Sequence, residues 1–141
     1  MGIFKPEVEC ASRDEMRAIQ SERLKKMVKN AYENVPFYKQ KLDEAGVAPD
    51  DVKSIDDITR LPFTVKTDLR DNYPFGLFAV PNSELVRVHA SSGTTGKQTV
   101  VGYTKADMDV WTECVSRIAC AGGACADDVA QICFGYGMFT G

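Results

Sequence analysis

The sequence has few of the residues that metal centres and secreted scaffolds need. It contains one histidine in 141 residues, and its five cysteines are an odd number without Cys-x-x-Cys spacing. These features disfavour a zinc site and a disulfide framework. We therefore expect no metal site built by the protein, and reduced thiols that serve as small apolar residues in a cytoplasmic protein.

Long apolar runs and an excess of positive charge are also missing. No segment approaches the ~20 apolar residues that cross a bilayer, and the N-terminus lacks the apolar stretch of a signal peptide. The net charge of −3 leaves no broad basic surface. We therefore expect neither a membrane nor a nucleic acid among the partners.

Charge is unevenly distributed along the chain. Of the Asp, Glu, Lys and Arg side chains, 26 lie in residues 1–70 and 11 in residues 71–141. This division predicts exposed helices first and the start of a buried sheet afterwards. The fold class that we predict is α/β, with a helical subdomain over residues 1–76. The first strands of an α/β domain, with an incomplete sheet, follow over residues 77–141.

The first half carries local signals for helices. Ser12-x-x-Glu15 is a capping box, and the apolar residues after it recur at helical spacing, which predicts a helix over 13–34. Its apolar stripe is either core or a partner surface. A second helix is predicted over 37–45, because Gly46 is suited to the position after a helix end.

Shorter helical signals follow before the sheet. A helical turn is predicted over 55–60, and another over 65–71 with Thr64 as its cap. The lead-in over residues 1–11 has no such signal and is expected to be loosely ordered.

The second half carries strand signals. Strands are predicted over 85–90, 99–103 and, fully buried, 129–134. Between the last two, Thr104-x-x-Asp107 is a capping box that predicts a helix over 105–121. In the first strand, alternation predicts one face with Val86, Val88 and Ala90, and the other with Leu85, Arg87 and His89.

A hydroxyl-rich segment, Ser91-Ser92-Gly93-Thr94-Thr95-Gly96-Lys97, connects the first two strands. Its glycines let backbone N–H groups approach anionic oxygens, its hydroxyls donate hydrogen bonds, and its lysine adds a mobile positive charge. These properties suit a polyphosphate, although a solvated turn is the alternative. A Walker A motif does not fit, because Ser91 stands where that motif has its first glycine and Gln98 follows the lysine.

This segment resembles the phosphate-binding loop of the adenylate-forming superfamily, which usually has proline where this chain has Gln98. The context is similar to phenylacetate–CoA ligases in particular. It includes Pro62-Phe63-Thr64-Val65-Lys66 before the loop, Val100-Val101-Gly102-Tyr103-Thr104 after it, and Gly135-Tyr136-Gly137-Met138-Phe139-Thr140-Gly141. The resemblance covers nearly the whole chain but only the front part of such a ligase. It therefore implies a fragment of a longer enzyme.

The resemblance implies a two-step reaction of the complete enzyme with ATP, Mg²⁺ and coenzyme A. Phenylacetate would form an acyl-adenylate and pyrophosphate, and the thiol of coenzyme A would then displace AMP. The family's adenylate motif, ribose-binding aspartate and adenylating lysine are absent from these 141 residues, so this chain alone is expected to be inactive. The implied phosphate-binding residues are Ser91, Ser92, Gly93, Thr94, Thr95, Gly96 and Lys97, with Lys66, and the implied aryl-acid residues are Tyr136 and Phe139.

Several of these interpretations have an alternative. The alternative for Lys66 is a solvated lysine on a helical turn, and the alternative for the segment at Tyr136 is an ordinary turn. His89 is either a hydrogen-bonded structural residue or a ligand, and Trp111 is interpreted as core. The whole chain is otherwise an inactive module that binds a nucleotide or a partner, or part of a ligase for another aryl acid such as benzoate. The sequence does not determine the oligomeric state, for which a homodimer is one alternative.

Overall fold

The computed structural model describes residues 2–91, 98–133 and 135, in which helices precede a two-stranded hairpin and a last helix. No helix among these residues has both the length and the apolar character required for crossing a membrane. The α-helices are α1 (Pro6–Glu9), α2 (Arg13–Asn34), α3 (Pro36–Glu44), α4 (Lys66–Asp71) and α5 (Lys105–Ala121), and the strands are β1 (Leu85–Ala90) and β2 (Val100–Thr104). Turns of 3₁₀ helix span Pro49–Asp51, Ile55–Arg60 and Asn82–Glu84. The predicted class, a helical part followed by the first strands of a sheet, is confirmed.

The long helix α2 begins and ends where its local signals predict. The Ser12 hydroxyl accepts a hydrogen bond from the Glu15 N–H at 3.3 Å, and the Glu15 carboxylate accepts one from the Ser12 N–H at 2.8 Å. These two bonds satisfy N–H groups that have no partner within the helix. Helix α3 spans Pro36–Glu44, one residue earlier than predicted, and Gly46 adopts a φ of +66° after its end.

The core lies within the helical part. It consists of apolar side chains from α2, α3 and the segment after them, and Val52 is 1% exposed. The apolar stripe of α2 is therefore core where it carries Leu24 and Val28, since both are buried there. The members of this core cluster are Leu24, Val28, Leu42, Val47 and Val52.

Helix α4 begins one residue later than predicted. Thr64 does not cap it, because the cap position falls on Val65, which has no side-chain acceptor. The Asp68 carboxylate instead reaches back and accepts the Val65 N–H at 2.9 Å. An acidic residue at the third helical position thus provides one half of a capping box without the hydroxyl that usually provides the other.

The two strands form an antiparallel hairpin. Ala90 pairs with Val100, and the register continues regularly to Arg87, beyond which a bulge interrupts it before Leu85. The predicted alternation fails there, because a bulge places two residues opposite one. Ala90 is buried, whereas Val86 and Val88 are exposed, so the sheet is less buried than predicted.

Helix α5 has the predicted bounds and packs on β2. The Thr104 hydroxyl accepts the Asp107 N–H at 3.2 Å, and the Asp107 carboxylate accepts the Thr104 N–H at 2.8 Å. The five cysteines are free thiols, as predicted, but most of them are exposed and do not serve as packed small apolar residues. Cys120 is half-buried, and the exposed ones are Cys10, Cys114, Cys125 and Cys133.

The prediction of a third strand over 129–134 is wrong for residues 129–133, and residue 134 lies outside the described residues. Residues 129–133 have no regular secondary structure, and Val129 and Ile132 are 99% and 80% exposed. A run of β-forming residues becomes a strand only when a neighbour accepts its hydrogen bonds. None of the described residues pairs with this segment.

The lead-in is also more ordered than predicted. Helix α1 is attached to α5, because Arg117 pairs with Glu9 at 3.2 Å and Lys5 donates to Glu113. Gly2 lies so close to Cys120 that a Cβ on it would be 2.5 Å from the Sγ atom. Residues 2–10 therefore form a strap across α5.

We expect Gly102→Ala to lower the free energy of unfolding by about 1–3 kcal/mol, the usual cost of overpacking. A Cβ at Gly102 would lie 2.9 Å from Cε2 of Phe78 and 3.0 Å from both Cδ atoms of Leu85. Urea denaturation measures the change. Gly135→Ala is the matched control, since no described atom lies within 4 Å of its Cβ, and it should stay within about 0.5 kcal/mol. Equal stability of both variants would contradict the close packing.

We also expect acid to release the strap. The Lys5 ammonium lowers the pKa of the Glu113 carboxyl, so this pair stabilises the folded state above the ordinary glutamate pKa of ~4.3. The stabilisation is lost as the pH falls through the lower, folded value. Hydrogen-exchange protection of the amides of Val8 to Cys10, compared at about pH 5 and pH 3, measures the release. Glu113→Gln should weaken protection at pH 5 and reduce its pH dependence. Unchanged protection in the unsubstituted chain would contradict the role of the ion pair.

Candidate functional site

The hairpin closes directly below the hydroxyl-rich segment. Beyond the last strand pair, the Ser91 N–H donates to the Thr99 carbonyl at 2.9 Å, and the Thr99 N–H donates to the Ser91 hydroxyl oxygen at 2.9 Å. The chain therefore leaves β1 and enters β2 through one doubly bonded pair. We call Ser91 and Thr99 the neck of the loop.

Of the seven predicted loop residues, the structure describes only Ser91. Its side chain is exposed, and its oxygen is the acceptor at the neck. A hydroxyl that accepts one hydrogen bond still has its own hydrogen to donate, so this bond leaves a donor for a ligand. Residues 92–97, Tyr136 and Phe139 lie outside the described residues.

Three aromatic rings connect the hairpin to α5. The ring of His89 lies 5.2 Å from that of Tyr103 and 5.5 Å from that of Trp111, both edge-on, and the Tyr103 and Trp111 centroids are 5.1 Å apart. Such pairs add about 0.5–1.5 kcal/mol beyond burial. His89 thus lies in a ring cluster two residues from the neck, which favours its interpretation as a structural residue. Trp111 packs in this cluster at partial exposure.

Lys66, the remaining predicted phosphate ligand, is the first residue of α4 and is exposed. The segment around it is fixed from α3, because the Lys41 ammonium donates to the Phe63 carbonyl at 2.5 Å and to the Asp68 carboxylate at 2.6 Å. The Lys41 ammonium, followed by the Val65 N–H, lowers the pKa of the Asp68 carboxyl. Asp68 therefore remains an anion at neutral pH.

A cleft of about 440 Å³ separates the helical part from the hairpin. Tyr38 and Leu69 line it from the helices, and Thr99 and Gly102 line it from the hairpin. Lys66 precedes Leu69 by three positions, and residues with that spacing lie on the same side of a helix. Leu69 of α4 and Thr99 of the neck therefore line the same cleft, and Lys66 lies about one helical turn before Leu69.

Sequence reasoning missed Lys41, Asp68 and the cleft. The only local signal was the acidic residue three positions after Val65, which marks a helix start but gives no partner on α3. No group of three His, Cys, Asp or Glu side chains within the described ranges is arranged to hold a metal ion.

The chain is similar to known proteins along nearly its whole length. No protein-family model matches it. It is 59% identical over 140 residues to the phenylacetate-coenzyme A ligase of Aromatoleum evansii, 56% to that of Thermus thermophilus and 54% to that of Escherichia coli. The matches cover 95–99% of this chain but only 31–32% of the relatives. The chain thus spans about a third of their length, in agreement with the expected fragment.

The fold is similar to part of a solved acyl-CoA ligase. A 2-hydroxyisobutyryl-CoA ligase in complex with 2-HIB-AMP and CoA matches with a TM-score of 0.69 and 39% identity, over 76% of this chain and 24% of that one. An open conformation of the same ligase matches with a TM-score of 0.71 and 36% identity, over 79% and 27%. Taken with the identities of 54–59% to the named relatives, these matches show that the chain is similar, along nearly its whole length, to part of the phenylacetate-coenzyme A ligases.

Proposed function

We propose that this chain is part of an ATP-dependent aryl acid–CoA ligase that forms phenylacetyl-CoA, AMP and pyrophosphate. Its contribution is the triphosphate-binding loop. The observation that carries the proposal is the doubly bonded neck at Ser91 and Thr99, the two ends of a segment whose sequence consists of hydroxyls, glycines and Lys97, together with the position of Thr99 in the wall of the cleft. Relatives that are 56–59% identical to this chain are named phenylacetate-coenzyme A ligase.

The first step joins two anions, so its catalysis is mainly charge neutralisation and positioning. A carboxylate oxygen of phenylacetate bonds to the α-phosphorus of ATP, the bond from that phosphorus to the bridging oxygen breaks, and pyrophosphate leaves. Loop hydroxyls, loop N–H groups and Lys97 would hold the β- and γ-phosphates, and Lys66 would add a second cation from α4. In the second step, the sulfur of coenzyme A bonds to the acyl carbon and AMP leaves with the carboxyl oxygen.

The aromatic side chains at the end of the chain are assigned to the acid. Tyr136 and Phe139 would pack against the aryl ring, since edge-to-face contacts suit a phenyl group. Mg²⁺ would enter with ATP as part of the substrate, with phosphate oxygens and water as its ligands, because no acidic cluster among the described residues fits it. These 141 residues alone are not expected to complete the reaction. We assign the protein to the cytoplasm, where free thiols persist.

A joined ligase tests the proposal. In it, this chain replaces the matching residues of the Aromatoleum evansii relative, to which it is 59% identical. Pyrophosphate exchange into ATP should depend on phenylacetate and exceed exchange with benzoate. Preference for benzoate would assign another aryl acid. ATP binding without exchange, when the intact relative is active, would favour an inactive nucleotide-binding module.

Substitutions should separate the two substrates in the joined ligase. Lys97→Ala should raise the KM for ATP by about 10–100-fold, because a hydrogen bond to a charged group contributes ~1.5–3 kcal/mol, with little change in the KM for phenylacetate. Phe139→Ala should do the reverse. Steady-state exchange kinetics measure both constants. Equal effects on the two substrates from either variant would contradict the assigned roles.

A further inference from the structure

One lysine of the helical part is bonded to the chain on both sides of Lys66. Lys41 belongs to α3, yet its ammonium contacts the Phe63 carbonyl at 2.5 Å and the Asp68 carboxylate at 2.6 Å. The side chains of Lys41 and Asp68 are only 24% and 17% exposed. The Phe37 ring lies below the same ammonium, 5.3 Å away. This ion pair is therefore shielded from water on several sides, which strengthens it relative to an open surface pair.

The Asp68 carboxylate connects this lysine to the start of α4. The same oxygen, Oδ2, accepts from the Lys41 ammonium and from the Val65 N–H. Three points of a six-residue segment are thereby fixed: the carbonyl of Phe63, the amide of Val65 and the carboxylate of Asp68. Lys66 lies between the second and the third of these points.

Lys66 itself has no hydrogen bond or ion pair with any residue that the structure describes. It is exposed at the first position of α4, three positions before Leu69, which lines the cleft. A lysine side chain is long and mobile, so its reach depends on where its backbone is held. That backbone is held by Lys41 and Asp68.

We propose that Lys41, acting through Asp68, is a positioning residue that holds Lys66 at the cleft for the triphosphate of ATP. This inference rests on the proposed function. In this role Lys41 acts without touching the nucleotide, because its ammonium is directed at Asp68 and at the Phe63 carbonyl. Substitution of Lys41 leaves the Lys66 side chain unchanged but removes the hydrogen bonds that hold the segment around it.

Substitution of Lys41 in the joined ligase tests the proposal. Lys41→Met keeps an unbranched side chain one atom shorter and removes both hydrogen bonds. It should raise the KM for ATP about tenfold, since small displacements of a positioned group reduce productive binding. The KM for phenylacetate should change less than about twofold. Lys41→Arg should restore most of the loss, because a guanidinium can donate to a carbonyl and a carboxylate together.

Lys39 provides the matched control on the same helix. It pairs with Asp43 at 2.7 Å on the exposed side of α3, two positions before Lys41. Lys39→Met removes one ammonium and one ion pair of α3 without touching the segment around Lys66. It should leave both KM values unchanged. A rise in the KM for ATP equal to that of Lys41→Met would overturn the proposal, since it would trace the effect to α3 as a whole.

A double substitution shows whether Lys41 acts through Lys66. In a Lys66→Ala background, Lys41→Met should raise the KM for ATP no further, because residues that act through one another are not additive. A full additional effect, or an equal rise in both KM values, would overturn the proposal in favour of a general structural role. The Kd for ATP, measured by titration calorimetry, should show the same non-additivity and serves if turnover is lost.

The two proposals fail in different ways. If Lys66→Ala leaves ATP binding unchanged while exchange still depends on phenylacetate, the positioning role of Lys41 and the phosphate-binding role of Lys66 are overturned, and the proposed ligase function stands. If the unsubstituted joined ligase neither binds ATP nor catalyses exchange, although the intact relative does both, the two are overturned together.

Discussion

The pairing of β1 with β2 is the constraint on which the site depends. Its antiparallel register runs without interruption from Arg87 to Ala90 and is extended by the two hydrogen bonds of the neck. The entropic cost of closing a loop grows only slowly with its length. The two hydrogen bonds of the neck therefore add little to the entropic cost of forming the hairpin. The hairpin is in turn held to α5 by the ring cluster of His89, Tyr103 and Trp111. Both ends of the loop are therefore attached to a hairpin that packs against α5.

The helical part contributes rigidity of a different kind. Its core of aliphatic side chains fixes α2 against α3. The Lys41 ammonium of α3 then donates hydrogen bonds to the Phe63 carbonyl, before α4, and to the Asp68 carboxylate within α4. Apolar burial in the core is non-directional, whereas the hydrogen bonds of Lys41 require a particular geometry. Apolar burial therefore determines that the helices pack, and hydrogen bonds determine where one turn of backbone lies. Both parts of the chain meet at the cleft.

Features encoded within three or four residues are predictable from this sequence. The capping boxes at Ser12 and Thr104 define helix starts because each closes its hydrogen bonds locally, and Gly46 ends α3 because a positive φ is easy for glycine. The family resemblance adds the loop, which no periodicity identifies. Features that depend on distant partners are not predictable in this way. The ion pair of Lys41 with Asp68 spans 27 positions, and residues 129–133 pair with no strand in the part of the chain that the structure describes.

The strap across α5 makes one thiol chemically distinct. Four cysteines are exposed, whereas Cys120 lies half-buried against the backbone of Gly2, which has no side chain to separate the two. A water-soluble maleimide should therefore modify Cys120 last. With the other four cysteines replaced by serine, the labelling rate of Cys120 would therefore report how often residues 2–10 detach from α5.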